Sequence, residues 1–190
     1  MLDNTDYTNF RKALQKFGRT VTQTAKKNLA QQKVNASGNL SRSIKYRTYV
    51  GKDGIDLNIL MDYYGTFIDL GVKGANPNEI YKNNPDKKGK QRAPYSPYSY
   101  KDKMPPPSKL DKWSIRRKIA PRDEKGRFVT RKAVDYSIAK SIYFQGISPT
   151  MFFTKAFDFA YKGFGEAIGQ AIGKDVADYI KKEYKKTKIK

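Results

Sequence analysis

Two runs of strict alternation, four residues apart, constrain this chain more than any other feature in it. In the first, Ile44, Tyr46, Thr48 and Val50 alternate with Lys45, Arg47 and Tyr49; in the second, Ile55, Leu57, Ile59 and Met61 alternate with Asp56, Asn58 and Leu60. Side chains two apart share a face of a strand, so each run predicts a strand with one buried face. Gly51-Lys52-Asp53-Gly54 between them predicts a hairpin loop, and hence an antiparallel pair.

Helical patterns flank the pair. Over residues 4–33, Phe10, Leu14, Phe17, Val21, Ala25 and Leu29 recur at steps of three and four and form one apolar stripe. Asn4, Thr5 and Asp6 are candidate caps. Arg11, Lys12, Lys16, Arg19, Lys26 and Lys27 lie mainly off the stripe and read as a solvated face. Gly18, costing about 1 kcal/mol relative to alanine inside a helix, marks a place for a bend. Asn35-Ala36-Ser37-Gly38-Asn39 breaks the pattern.

At the far end, Ser148-Pro149 reads as an N-cap followed by the first helical position. Phe153, Phe157, Ala160, Phe164, Ile168, Ile172, Val176 and Ile180 then predict one long helix with an apolar core stripe. Gly165, Gly169 and Gly173 lie beside that stripe. Each is unfavourable in a helix interior, so they predict close packing of another backbone, from the first helix or from a neighbouring subunit. Residues 181–190, with their many lysines, read as a frayed basic tail.

Between these ends, residues 64–70 read as two helical turns stopped by Gly71. From Val72 to Pro107 no period is visible, and Tyr95, Tyr98 and Tyr100 are interleaved with Pro94 and Pro97. Such a length without pattern predicts an extended interaction loop or insertion, ordered against a neighbouring subunit. Ser108 opens a short basic helix reaching Ile119, anchored by Leu110 and Trp113; a charged turn covers residues 121–129; and a helix runs from Ala133 to Phe144 with Val134, Ile138 and Ile142 inward, ended by Gly146. The fold class predicted is α+β: a single domain over residues 1–190, with a small antiparallel sheet packed by long N-terminal and C-terminal helices, and a long projecting loop at 72–107.

The chain has no cysteine and no histidine, which removes thiolate and imidazole chemistry. No apolar run has membrane-spanning length, and the first residues lack the basic and apolar regions of a signal peptide, so synthesis in the cytoplasm is expected. No phosphate-binding loop is present, and Gly163 and Gly165 fall inside a helix pattern rather than after a strand. Asp62 and Asp69 share a face if their segment is helical, which reads as capping and ion pairing in preference to a paired-carboxylate or Mg²⁺ site. No catalytic, metal or cofactor constellation stands out, and the chain reads as a non-enzyme.

A formal net charge of +21, from 39 Lys and Arg against 18 Asp and Glu, favours a polyanionic partner. The cations form no sequence-reading motif, so nonspecific phosphate contact is expected, with Lys87, Lys88, Lys90, Arg92, Arg116, Arg117 and Lys118 as the candidates. The 14 Tyr and 10 Phe suit wet interfaces. Tyr64, Phe67, Asp69, Tyr95, Tyr98, Tyr100, Gly165, Gly169 and Gly173 are the candidate subunit-interface residues.

Three segments in order resemble the tail-completion, or neck, proteins of tailed bacteriophages. The first is Ser37-Gly38-Asn39-Leu40-Ser41-Arg42-Ser43-Ile44, after the first long helix. The second is Tyr64-Gly65-Thr66-Phe67-Ile68-Asp69-Leu70-Gly71-Val72, with Gly for Ala, Phe for Tyr, Asp for Glu and Val for Thr relative to the family pattern. The third is Pro149-Thr150-Met151-Phe152-Phe153-Thr154-Lys155-Ala156. The resemblance implies a structural virion protein: a homo-oligomeric ring in the neck or head-tail connector, touching portal, connector and tail proteins, with phage DNA in its lumen and no membrane. A nonenzymatic basic nucleic-acid-binding protein is the alternative that the charge leaves open.

Overall fold

The computed structural model describes residues 7–34, 37–51, 54–83 and 88–188. In chain order the elements are α1 (Thr8–Gln31), α2 (Asn39–Ser43), β1 (Lys45–Val50), β2 (Ile55–Leu60), α3 (Tyr64–Leu70), β3 (Val72–Lys73), α4 (Asp111–Arg116), α5 (Arg131–Gln145), β4 (Gly146–Ile147), α6 (Phe152–Tyr161) and α7 (Phe164–Lys188). The class is α+β, with a long N-terminal helix, a long C-terminal helix and a small antiparallel sheet. Where the sequence reads as one domain, the chain clusters into two compact units. One comprises Met1–Gln32, Asn39–Asp62 and Phe152–Lys190; the other comprises Lys33–Gly38 and Tyr63–Met151.

In the first unit, α1 packs against α6, α7 and the hairpin. Its buried side is Leu14, Phe17, Gly18, Val21, Thr22, Ala25 and Leu29, following the stripe expected from spacing. The hairpin register pairs Tyr46 with Ile59, Thr48 with Leu57 and Val50 with Ile55. Tyr46, Thr48, Ile55, Leu57 and Ile59 are half-buried while their neighbours are exposed, as period two requires. Helix α1 runs on through Gly18 without ending. A Cβ there would lie 2.8 Å from Tyr46 Cδ2 and 2.9 Å from Leu57 Cδ1, so this glycine lets the hairpin rest on the helix. Leu40 of α2 and Ile44 after it fill the same core.

The candidate caps Asn4, Thr5 and Asp6 lie outside the described residues. Among the described residues, α1 is capped from α7, far along the chain. Asp175 Oδ1 accepts from the Asn9 backbone N–H (2.9 Å) and from Asn9 Nδ2 (2.8 Å), and Oδ2 accepts from the Phe10 N–H (2.8 Å). A carboxylate on these free N–H groups satisfies donors that the helix itself leaves open and complements its dipole.

The single long C-terminal helix expected from the sequence is two helices. Gly163, at φ 78°, interrupts it between α6 and α7. Phe157 and Phe164 still reach Phe17, with ring centroids 5.6 and 4.2 Å apart. Beyond the break the phase changes: α7 buries Ala171 and Asp175, while Ile172, Val176 and Ile180 are 43%, 44% and 60% exposed. The expected stripe is already displaced in α6, where Phe152 and Ala156 are buried and Phe157 is 38% exposed, and its four-residue steps beyond Phe164 drift about 40° each, which carries Ile172, Val176 and Ile180 off the buried side. The close contact with the first helix expected at Gly165, Gly169 and Gly173 is also absent, since an added Cβ at each would meet nothing within 4 Å.

In the second unit, β3 pairs antiparallel with β4, Val72 opposite Ile147 and Lys73 opposite Gly146. The backbones approach so closely that a Cβ on Gly146, at φ 87°, would lie 2.1 Å from the Val72 carbonyl oxygen. Ser148-Pro149 does not open a helix. The Thr150 and Met151 N–H groups donate to the Asp69 carbonyl, and Thr150 Oγ1 donates to the Ile68 carbonyl (2.8 Å), so this segment is tied to the end of α3 and helix begins only at Phe152.

The described part of the 72–107 segment folds within its own unit, where the sequence predicts an extended loop ordered by a neighbour. The Ala75 N–H donates to the Tyr143 carbonyl and the Arg92 N–H to the Gln145 carbonyl. Gln91 exchanges two hydrogen bonds with the Gly74 backbone, at 2.7 and 3.0 Å. Ala93 and Ser96 are buried. Irregular backbone satisfied in this way leaves no period in the sequence.

Candidate functional site

Helix α3 is short, and the two turns are used on opposite sides. Gly65 and Asp69, four apart, are buried; Tyr64, Phe67 and Ile68 occupy the other side. Gly71 ends the helix at φ 71°, as its position after the last helical residue predicts. The chain then enters β3, and Lys73 also pairs in parallel with Ser99. The Lys73 N–H donates to the Tyr98 carbonyl (2.8 Å) and the Tyr100 N–H donates to the Lys73 carbonyl (2.9 Å). This extended stretch puts Tyr98 and Tyr100 on one face.

Ser96 locks the stretch in register. Its buried hydroxyl donates to the Gly71 carbonyl (2.7 Å) and accepts from the Tyr98 N–H (3.1 Å). The product is an open cavity of about 620 Å³ lined by Tyr64, Phe67, Ile68, Val72, Pro97, Tyr98, Ser99, Tyr100, Lys101 and Ile147. Phe67 lies edge-on to Tyr98 (centroids 4.6 Å, 77°) and to Tyr63 (5.1 Å, 86°). Tyr100 meets Tyr143 at 6.1 Å, and Tyr143 Oη donates to the Lys101 carbonyl (2.6 Å). Burial pushes the Tyr100 phenol above its ordinary pKa, so the ring stays neutral and presents an O–H donor.

The lining is mainly apolar and aromatic, with three tyrosines and one lysine among its residues. Among the described residues, no group of three or more His, Cys, Asp or Glu is placed to hold a metal ion.

Of the candidate interface residues, Tyr64, Phe67, Tyr98 and Tyr100 are brought together here. Asp69 is 4% exposed and does not line the pocket. Asp62 precedes α3, so the shared helix face expected for the two carboxylates does not form. Tyr95 is 96% exposed and stands outside the pocket. Gly165, Gly169 and Gly173 belong to the other unit.

The candidate phosphate-contacting cations divide as sharply. Lys88, Lys90, Arg116 and Lys118 are exposed. Arg92 is engaged, donating to Ser141 Oγ (3.0 Å) and Gln145 Oε1 (2.6 Å). Arg117 donates to the Lys33 carbonyl and lies over Trp113, 5.8 Å from the ring centroid, which gives it a structural task within the subunit. Lys87 lies outside the described residues.

Ile68, Val72, Pro97 and Ile147 were not among the candidates. Strands of two residues carry no period; the signal available was the spacing of Gly71, Gly74 and Gly146, each placed where a Cβ would strike backbone. No helix among the described residues is long and apolar enough to cross a membrane. Comparison with family models, with curated proteins and with solved structures finds no match to this chain.

Proposed function

We propose that this chain is a structural subunit of a tailed-bacteriophage neck, a tail-completion protein whose copies close into a ring around the passing DNA. The observation that carries the reading is the convergence of Tyr64 and Phe67, from the second family-like segment, with Tyr98 and Tyr100 on one apolar pocket. A pocket on one face of a subunit that seats a different surface of the next copy is a heterologous contact, and such contacts close into a ring when the rotation between copies closes. The other two family-like segments supply Leu40, Ile44, Phe152 and Ala156 to the core, which accords with their serving the fold. Exposed Lys88, Lys90, Arg116 and Lys118, with the +21 charge, suit nonspecific contact with DNA in a lumen. Connector, portal and tail proteins are the expected neighbours in the virion.

The test is electron microscopy of virions carrying this chain, paired with a Tyr64→Asp phage. The expected result is density for the chain in a neck ring, and for the variant a subunit folded by circular dichroism with tailless, non-infectious particles. Density elsewhere, or normal tailed particles from the variant, would sink the reading. The exposed cations also favour a second reading, a DNA-binding protein acting as a small species. That reading requires salt-sensitive DNA binding by the free subunit and no chain in the purified virion.

A further inference from the structure

Helix α1 carries Arg11, Lys12, Lys16, Arg19, Lys26 and Lys27, and no Asp or Glu from Thr8 to Gln31. At about 100° per residue, Lys12, Lys16, Arg19, Gln23 and Lys27 fall within an arc of about 80°. All of them are exposed, while Val21, on the opposite side of the helix, is fully buried. Among the described residues, none of these cations forms an ion pair, although Lys82, Arg127 and Lys186 each pair with a carboxylate three or four residues away. Lys12 and Lys16, four apart, and Lys16 and Arg19, three apart, repel instead, so the helix holds this charge against its own stability.

Neighbouring elements extend the surface. Lys162, just after α6, borders the same cavity as Lys16, and Lys182 of α7 borders the same cavity as Lys12. Two carboxylates lie at the Lys12 end, Asp175 and Asp178. Asp175 is engaged by the first N–H groups of α1, which leaves Asp178 against the cations there.

We infer that the outer face of α1 is the surface on which this chain holds duplex DNA by its phosphates. From Lys12 to Lys27 the arc is about 22 Å long at 1.5 Å per residue. The same length of duplex carries about 13 phosphates at one per 1.7 Å, so each cation of the arc has an acceptor within reach. A single strand is held largely by stacking on aromatic rings, and the arc has none. A membrane-surface helix needs a free apolar face, whereas Leu14, Phe17, Val21, Ala25 and Leu29 are committed to the core. The inference concerns the free chain and does not rest on the neck-ring reading.

The test is binding of the purified chain to a labelled duplex, read by fluorescence anisotropy across a salt series. A variant combining Lys12→Gln, Lys16→Gln, Arg19→Gln and Lys27→Gln keeps good helix formers, so its circular dichroism should match the parent's. Its slope of log K against log salt should be shallower by about 3–4, with affinity at physiological salt down at least about tenfold. A control combining Lys103→Gln, Lys112→Gln, Lys132→Gln and Lys140→Gln, all exposed in the other unit, removes the same net charge and should change the slope by about 1 or less. In the unmodified chain, DNA should shift the amide resonances of Lys12 to Lys27 more than those of the control lysines. Equal losses in the two variants would assign the affinity to net charge and overturn the proposal. Unchanged binding by the α1 variant, or no binding by the parent at low salt, would also overturn it. So would tighter binding to phosphatidylserine vesicles or to polyglutamate than to the duplex at matched charge. Because every arm uses the purified chain, these outcomes are separate from whether the virion holds a ring.

Discussion

The largest fully buried side chains, Phe152, Leu29, Ile44 and Val21, all belong to the helix–hairpin unit. The unit built on α3 and α5 buries smaller apolar groups, Val72, Ala93, Val134 and Ala139, together with Asp69, Ser96, Ser114 and Asp135. Its interior is joined by polar contacts such as Ser114 Oγ to Asp135 Oδ1 (2.8 Å) and Ser96 Oγ to the Gly71 carbonyl (2.7 Å). The first unit coheres through removal of carbon from water; the second through satisfied backbone and a few directed side chains. The contrast teaches where each should be fragile. An apolar core loses stability in proportion to the volume removed, whereas a hydrogen-bonded one fails when backbone geometry is disturbed.

The largest effect should come from Phe152→Ala in the helix–hairpin unit. The ring is fully buried between α6 and α1, and its loss should cost about 3–5 kcal/mol in denaturant melts. A cost below 1 kcal/mol would mean that this core is not the first unit's main support. The counterpart in the second unit is Gly146→Ala, which adds one carbon. It forces a residue at φ 87° into the left-handed region and drives a methyl to within 2.1 Å of the Val72 oxygen, so about 2–4 kcal/mol should be lost. Amide exchange should localise the damage to β3 and β4. If the alanine is tolerated without change, the second unit does not depend on close backbone approach.

Asp175→Ala sharpens the comparison by removing a polar support from the apolar unit. Two backbone N–H groups at the start of α1 lose their acceptor, at a cost of about 1–3 kcal/mol, read as faster exchange at Asn9 and Phe10. Gly169→Ala has the opposite sign. Its Cβ meets open space, so the isolated subunit should be stabilised by about 0.4–1 kcal/mol, and destabilisation would reveal an unseen contact. The smallest effect is local and pH-dependent. The Asp123 carboxyl is held below the usual carboxylate range chiefly by the Arg127 N–H, with the Arg127 side chain and the Lys125 N–H adding to it. A lowered folded pKa stabilises the turn above about pH 4, and that support is lost as pH falls through the depressed value. Amide shifts of Lys125 and Arg127 should follow this titration, and Asp123→Asn should abolish it.

The legible parts of the sequence were those with a period and one buried face. The stripe of α1 and the alternation of the hairpin predicted the elements and their inward residues, because each is a local repeat read against a single axis. The pocket was half legible. Tyr64, Phe67, Tyr98 and Tyr100 stood out by composition, yet nothing local says that residues far apart in the chain share one cavity. Spacing marks Gly18 as a weak point, whereas it is a seat for Tyr46 and Leu57; the glycines of α7, which spacing marks as seats, face open space. A glycine announces that a backbone surface is bare but not what approaches it.

The sequence by itself determined the α+β class, the first helix with its buried stripe, the hairpin with its register parity, and the stop at Gly71. These follow from side-chain spacing along one element and from backbone sterics at one residue. Only the tertiary structure decided which face of α7 is covered, where α1 finds its cap, and how residues 88–100 close the aromatic pocket. Each of these depends on elements distant in the chain. Gly163 breaks the helix, the first N–H groups of α1 and the carboxylate of Asp175 satisfy one another, and with Ala171 and Asp175 covered Ile172, Val176 and Ile180 are left outward.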